Sequence, residues 1–243
     1  MMERLDDVLG YKDLKIYQNS DFFSFSLDSI ILANYATIRL RDKKIVDFCT
    51  GNGIVPIILS RRCNQSIIGV EIQKEIADLA SKSVLYNHLD DRITIICDDV
   101  KNFSINHLNE FDLLLCNPPY FKVEKNSSYN FSKEKSIARH EIFLNLDELF
   151  DCAKKILKDH GNICIVHRTT RLIEILDKLK KYNLEPKKIK FIHESIEKES
   201  FLVYIEAQKC GNIGLIVEKP LIQYDLSGNY TLEYDRLQKE VLS

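Results

Sequence analysis

Asn117-Pro118-Pro119-Tyr120 closes the apolar run Phe111 to Cys116 and offers a distinctive set of groups. Two consecutive prolines withdraw two backbone donors and stop a strand. What remains is a pair of acceptors and a ring. The acceptors are the Asn117 side-chain oxygen and the Pro118 carbonyl, the latter held by residues whose φ is fixed near about −65°. Placed on the two hydrogens of a planar NH2 group, they would draw its nitrogen toward tetrahedral geometry and localise the lone pair. That prepares an exocyclic amine, such as N6 of adenine, to attack an electrophilic carbon. Tyr120 adds a flat face on which a base stacks, worth ~1–3 kcal/mol. Orientation and electrostatics, not a strong general base, would supply most of the rate. A base inside a duplex cannot be reached this way, so the target is single-stranded or flipped out. Taken alone, the four residues also fit a plain turn.

The electrophile has its own signature upstream. In Val46-Asp47-Phe48-Cys49-Thr50-Gly51-Asn52-Gly53, Asp47 ends a strand candidate, and Gly51 and Gly53 form a tight turn before a helix. Glycines there let the backbone approach a ligand closely. The third glycine of a dinucleotide fingerprint is missing. Glu71 ends the next strand, about twenty residues on, where a carboxylate accepts from ribose hydroxyls. Asp98 ends the third strand and is placed to accept from the amine of an adenine, whereas Asp99 reads as the cap of the next helix. The acid-first spacing D-x-x-x-G-x-G resembles that of S-adenosylmethionine-dependent methyltransferases, with Cys49 where a first glycine is usual. The resemblance implies S-adenosyl-L-methionine as cofactor, its methionine part against the glycine turn.

These residues need a scaffold that brings strand ends together. Residues 45–120 alternate short β-rich runs with helical patterns, which implies βαβ units and a parallel sheet. Ile-Val-Pro-Ile-Ile-Leu reads as a helix with Pro56 in its first turn. The helix after Glu71 has Ile76, Leu79, Ala80, Val84 and Leu85 as its apolar face. A short linking helix is expected around Ile105 to Leu108. Residues 121–142 break the rhythm with a polar stretch that is long for a connection. Its Lys122, Lys125, Lys133, Lys135 and Arg139 suit phosphate contacts, or else a solvated charged loop. His140 has no partner at metal-ligand spacing, and no metal is expected. The rhythm resumes with a helix closed by Gly161 as C-cap, a strand, another helix and further strands. Two of those strands, joined through Cys210-Gly211-Asn212, read as an antiparallel pair.

Residues 1–44 read as an N-terminal hairpin and helix packed on a domain of residues 45–243, with Ser26 or Asp28 as the helix N-cap. The expected fold class is α/β: a Rossmann-like, mostly parallel seven-stranded sheet with helices on both faces and a C-terminal antiparallel strand pair.

The net charge of −2 gives no global basic field, so any nucleic-acid binding must use local patches. The seven cysteines form no C-x-x-C pair and lie mostly in apolar runs, as reduced thiols of a cytoplasmic protein do. No signal peptide and no run of about 20 apolar residues is present, so no membrane partner is expected. A monomer or weak homodimer is expected.

DFFSFSLDSIILANYA, VDFCTGNGIVPIILS, GVEI, LLLCNPPY and ARHE, in this order, resemble the bacterial valine-tRNA adenine-37 N6-methyltransferase family. The resemblance spans roughly residues 5–210. It implies a class I methyltransferase sheet, S-adenosylmethionine and a tRNA adenine near the anticodon. It also implies roles for Asp47, Gly51, Gly53, Glu71 and Asp98 with the cofactor. Asn117, Pro118, Pro119 and Tyr120 would serve catalysis, and Arg139 and His140 match a family motif on the substrate side. NPPY is shared with glutamine methyltransferases and DNA adenine methyltransferases. A protein glutamine N5-methyltransferase, or an enzyme for another RNA or DNA adenine, is therefore the alternative. A nucleotide-binding module without catalysis is a third reading, and a nicotinamide dehydrogenase lacks both its third glycine and a use for NPPY.

Overall fold

The computed structural model describes residues 3–19, 26–118 and 144–238. The chain opens with a hairpin, β1 (Glu3–Val8) and β2 (Tyr11–Asn19), followed by α1 (Leu27–Tyr35). The alternating part then runs β3 (Lys44–Phe48), α2 (Ile54–Leu59), β4 (Ser66–Glu71), α3 (Lys74–Tyr86), β5 (Ile93–Cys97), α4 (Val100–Asn106) and β6 (Phe111–Cys116). After residues 119–143 come α5 (Leu146–Ile156), β7 (Leu157–Arg168), α6 (Leu172–Lys181), β8 (Leu184–Ser195) and β9 (Ser200–Lys209). Two short strands and a helix finish the described chain: β10 (Ile216–Val217), β11 (Leu221–Tyr224) and α7 (Leu232–Gln238).

The central sheet is ordered β5-β4-β3-β6-β7-β9-β8, and β10 and β11 extend it to nine strands by pairing with β8. Every pairing is parallel except those of β9, which runs antiparallel to both β7 and β8. This corrects the expected pair across Cys210-Gly211-Asn212. Both edges of β9 are already taken, so the following chain crosses to the far side of β8, where β10 and β11 add in parallel. Pro220, which cannot donate to a ladder, lies between those two short strands.

Because successive strand residues face opposite sides, β6 feeds two cores. Leu113 and Leu115 join one apolar cluster with Ile30 and Ile57, while Leu114 and Cys116 join another with Phe103 and Phe150. Strands covered on both faces need to be apolar almost throughout, as β6 is.

Local chemistry sets the helix ends. Asp99 caps α4, accepting from the Lys101 amide at 2.8 Å, which starts that helix earlier than the Ile105–Leu108 pattern suggested. Asn145 and Glu148 form a reciprocal capping box on α5 at 3.0 and 2.9 Å. Ser26 is the N-cap of α1 through its carbonyl, not its side chain. Gly161 is not a C-cap. Helix α5 stops at Ile156, and Gly161 lies in β7, where a Cβ would come within 2.9 Å of the Lys158 carbonyl.

The hairpin sits on α3. Tyr17 donates its amide to Ser83 Oγ at 2.9 Å, and Asn87 exchanges hydrogen bonds with the Lys15 backbone at 2.9 and 2.7 Å. That contact turns Ser83 inward and leaves Leu85 58% exposed, so Leu85 is not part of the buried face.

Candidate active site

Parallel strands point all their carboxyl ends one way, and ligands bind there where the strand order reverses. In this sheet β3 has β4 on one side and β6 on the other, so the reversal lies between β3 and β6. Asp47, the turn Cys49–Gly53, Glu71, Asp98 and Asn117 all stand at carboxyl ends of β3, β4, β5 and β6.

The turn after β3 is tightly wound. Cys49 (φ 56°), Gly51 (φ 56°) and Gly53 (φ 85°) are all left-handed. For Cys49 this conformation costs roughly 1–2 kcal/mol, which glycine at that position would avoid. The turn is pinned by Thr50 N donating to the Val70 carbonyl at 3.1 Å and Gly53 N to the Thr50 carbonyl at 3.0 Å. Gly53 then opens α2.

Glu71 holds the turn from the side. Its Oε2 accepts from Gly51 N at 3.0 Å, and its Oε1 accepts from Gln73 N at 3.1 Å. The carboxylate is buried, with lone pairs left for further donors. Asp98 is half-buried, donates its amide to the Glu71 carbonyl at 3.1 Å and accepts from Asp99 N at 2.8 Å.

Asp47 is 1% exposed. Burial pushes its carboxyl up to about 8; the nearby Thr50 hydroxyl opposes this and the Glu71 charge adds to it. Asp47 Oδ2, Thr50 Oγ1 and Asn52 Nδ2 are buried without hydrogen-bond partners. Buried polar atoms are normally satisfied, and a ligand bound at the turn would satisfy these three. An acid, a hydroxyl and an amide donor suit the ammonium and carboxylate of an amino-acid moiety. Glu71, one strand along, and Asp98, two strands along, suit a ribose and an adenine.

Asn117 is half-buried at the end of β6, and its Nδ2 donates to Ser29 Oγ of α1 at 3.0 Å. Pro118 is buried and lines a cavity of about 290 Å³ shared with Leu146, His167, Arg171, Glu174 and Lys178. None of Asp47, Gly51, Glu71 or Asp98 lines this cavity. His167 is fully buried at the end of β7, and its Nδ1 accepts from Arg168 N at 2.8 Å, which puts the ring proton on Nε2. Burial, then the Arg171 charge, pushes its pKa down to about 4, so the imidazole is neutral. Arg171 is paired with Glu174 at 3.0 and 2.9 Å and Lys178 with Asp147, which balances the charge of the cavity wall.

Pro119, Tyr120, Lys122, Lys125, Arg139 and His140 lie outside the described residues. Among the described residues no group of three His, Cys, Asp or Glu side chains is placed to hold a metal, and no helix is long and apolar enough to cross a membrane. The site also holds residues that sequence reasoning passed over: Thr50 and Asn52, inside the motif but read as spacers, and Ser29, a polar residue in the apolar run Ser-Ile-Ile-Leu-Ala. His167, at the end of a strand, carried no motif at all.

The methyltransferase small domain family matches residues 19–192 of this chain. The chain belongs to that family. The methyltransferase small domain thus takes in α1, the glycine turn, Glu71, Asp98 and Asn117–Pro118 together. Curated relatives named tRNA1(Val) (adenine(37)-N6)-methyltransferase include one from Phocaeicola vulgatus, 27% identical over 76% of both chains. Another, from Porphyromonas gingivalis strain W83, is 26% identical over 95% of this chain and 93% of its own. A third, from Shewanella halifaxensis, is 26% identical over 88% of this chain and 90% of its own. Among solved structures, one from Agrobacterium tumefaciens described as a predicted O-methyltransferase superposes with a TM-score of 0.69. It is 19% identical and covers 87% of this chain and 95% of its own. Geranyl diphosphate C-methyltransferase from Streptomyces coelicolor, solved with S-adenosyl-L-homocysteine, has a TM-score of 0.56 at 13% identity over 74% of this chain and 76% of its own. These likenesses show the methyltransferase fold.

Proposed function

We propose that this chain is an S-adenosylmethionine-dependent methyltransferase acting on N6 of a tRNA adenine, beside the anticodon of a valine tRNA. The observation that carries it is a juxtaposition. Phe48 and Cys116 are register partners on parallel strands, so the glycine turn and Asn117–Pro118 begin one residue further along, about one strand spacing (~4.8 Å) apart. A methyl donor in the turn and an amine on Asn117 are therefore neighbours. The relatives named above favour adenine over the glutamine alternative.

The orphaned polar atoms of the turn fit the cofactor's amino-acid end. Asp47 takes its ammonium, Asn52 its carboxylate, Glu71 its ribose hydroxyls and Asp98 its adenine. When bound, the cofactor supplies a methyl group activated by a sulfonium. Asn117 Oδ1 and the Pro118 carbonyl each accept one N6 hydrogen of the target base and turn its lone pair outward, while Tyr120 stacks on the ring. Lys122, Lys125, Arg139 and His140 contact the RNA in this reading. Residues 1–44 act as an extension of the methyltransferase unit 45–243, and the enzyme works on tRNA in the cytoplasm.

The test is incubation of the purified protein with methyl-labelled S-adenosylmethionine and unmodified total tRNA, read by nucleoside mass spectrometry. N6-methyladenosine should appear and be lost in Asn117→Ala. Label on protein in place of RNA would transfer the assignment to a side-chain amide.

A further inference from the structure

Cys49 and Cys116 stand one on each half of the candidate site. Cys49 follows β3 and opens the glycine turn, and Cys116 ends β6 directly before Asn117. Phe48 and Cys116 are register partners on parallel strands, so Cys49 lies one residue beyond the partner of Cys116. With strands ~4.8 Å apart and a rise of ~3.3 Å per residue, the two Cα atoms are about 6 Å apart. That falls inside the ~4.4–6.8 Å between Cα atoms that a disulfide bridges.

Side-chain direction is the second condition. Strand alternation would send Cys49 to the face opposite Phe48. Its left-handed φ of 56° breaks that alternation, and Cys49 packs against the cluster that holds Phe48, Phe103 and Cys116. The two thiols are neighbours there: burial first, and then the Cys49 thiol beside it, pushes the Cys116 pKa well above its ordinary value. Both are free thiols, Cys49 half-buried and Cys116 fully buried. Exposure and thiol chemistry together select which cysteine an oxidant meets, and of these two that is Cys49.

We propose that Cys49 and Cys116 form a peroxide-sensitive thiol pair, whose disulfide closes the site to its cofactor and whose reduction reopens it. The Cys49 sulfur attacks hydrogen peroxide. An S–O bond forms, the O–O bond breaks, and water leaves with the thiol proton, giving a sulfenic acid. The Cys116 sulfur then attacks the Cys49 sulfur. The S–S bond forms, the S–O bond breaks, and the hydroxyl leaves as a second water with the Cys116 proton. Two thiols are oxidised and one peroxide is reduced; a dithiol reverses the bond by exchange. The new bond draws two non-bonded sulfurs together, and the backbone leading to Gly51 and to Asn117 follows them. The effect on the cofactor rests on the reading of the glycine turn as its binding site.

The test exposes the full chain to hydrogen peroxide, caps the remaining thiols and maps the unreduced peptides by mass spectrometry. Calorimetry of S-adenosylhomocysteine binding runs in parallel. The Cys49 and Cys116 peptides should be joined. Affinity for S-adenosylhomocysteine should fall about tenfold or more, because a positioned site tolerates little displacement, and should return with dithiothreitol. In Cys116→Ala the oxidation of Cys49 should stop at the sulfenic acid, trapped by dimedone. Three results would each overturn the pair: free Cys49 and Cys116 under peroxide that oxidises the exposed Cys97 and Cys210, a Cys116–Cys152 link in its place, or a Cys49–Cys116 disulfide with unchanged affinity. A reduced protein that binds no S-adenosylhomocysteine, yet still joins Cys49 to Cys116, would instead overturn the reading of the turn.

Discussion

Glu71 Oε2 and Gly51 N are 3.0 Å apart, joining the end of β4 to the crest of the glycine turn after β3. The same carboxylate takes the Gln73 amide at 3.1 Å. One side chain therefore shapes the glycine turn and, in the function proposed above, keeps lone pairs for the cofactor's ribose. Glu71→Ala should weaken cofactor binding about a hundredfold, by the loss of charge-assisted hydrogen bonds. It should also lower unfolding stability by ~1–3 kcal/mol, because two amides lose their acceptor. Calorimetry and denaturant unfolding read the two effects separately. Weakened binding with unchanged stability would mean that the turn does not depend on Glu71.

The two glycines of the turn should fail in different ways. A Cβ at Gly53 would lie 3.3 Å from Ala80 Cβ on α3, at a φ of 85°. Gly53→Ala therefore forces helix α3 aside and should cost ~2 kcal/mol or more of stability. A Cβ at Gly51 meets nothing within 4 Å, at a φ of 56°. Gly51→Ala should cost only the left-handed strain of about 1–2 kcal/mol, and its larger effect should be on cofactor affinity, since the methyl projects into open space. Thermal unfolding with and without S-adenosylhomocysteine distinguishes them; equal losses of affinity would contradict the difference in packing.

Asp47 carries its proton to about 8 in the folded protein, against an ordinary 3.8. The unfolded chain gives that proton up near pH 4, so between about 4 and 8 the folded state binds more protons and its stability falls as pH rises. Asp47→Asn should flatten this slope and raise Tm at the alkaline end. The same change should lose the partner for the cofactor's ammonium. Wild-type protein should release a proton on cofactor binding near neutral pH, measured by calorimetry in buffers of different ionisation enthalpy. No buffer dependence would mean that Asp47 is already ionised.

His167 titrates in the opposite sense. Its pKa is lowered to about 4 from 6.5, so the unfolded chain takes up a proton first as the pH falls. Stability should therefore rise with pH between about 4 and 6.5 and be lost on acidification through that window. His167→Asn keeps an acceptor for the Arg168 amide and removes the titration, so its Tm should vary less across the window. An unchanged slope would assign acid sensitivity to other groups.

Much of the site was legible in the sequence because strand ends in a parallel sheet are chemically marked. Asp47, Glu71, Asp98 and Asn117 each follow an apolar run, and a polar residue there stands at the carboxyl edge of the sheet. The glycines at 51 and 53 announced a turn that only left-handed residues can make. Leu85 was misread because helical spacing cannot say which neighbour arrives; the β2 backbone selected Ser83 in its place. The C-terminal antiparallel pair forms between β8 and β9, and only the pairing across Cys210-Gly211-Asn212 was misread, because local sequence does not record which strand edges are already filled.

The sequence alone determined the order of elements, the acids at the strand ends and the proline stop after Asn117, since these follow from periodicity and from backbone chemistry within a few residues. The tertiary structure decided what depends on distance in space. It buried Asp47 until its carboxyl kept a proton, set Glu71 on the Gly51 amide, inserted β9 between β7 and β8, and brought Ser29 of α1 to the Asn117 amide. Burial, strand order and the hydrogen-bond partner of an amide are properties of neighbours that arrive from elsewhere in the chain, and no short stretch of sequence contains them.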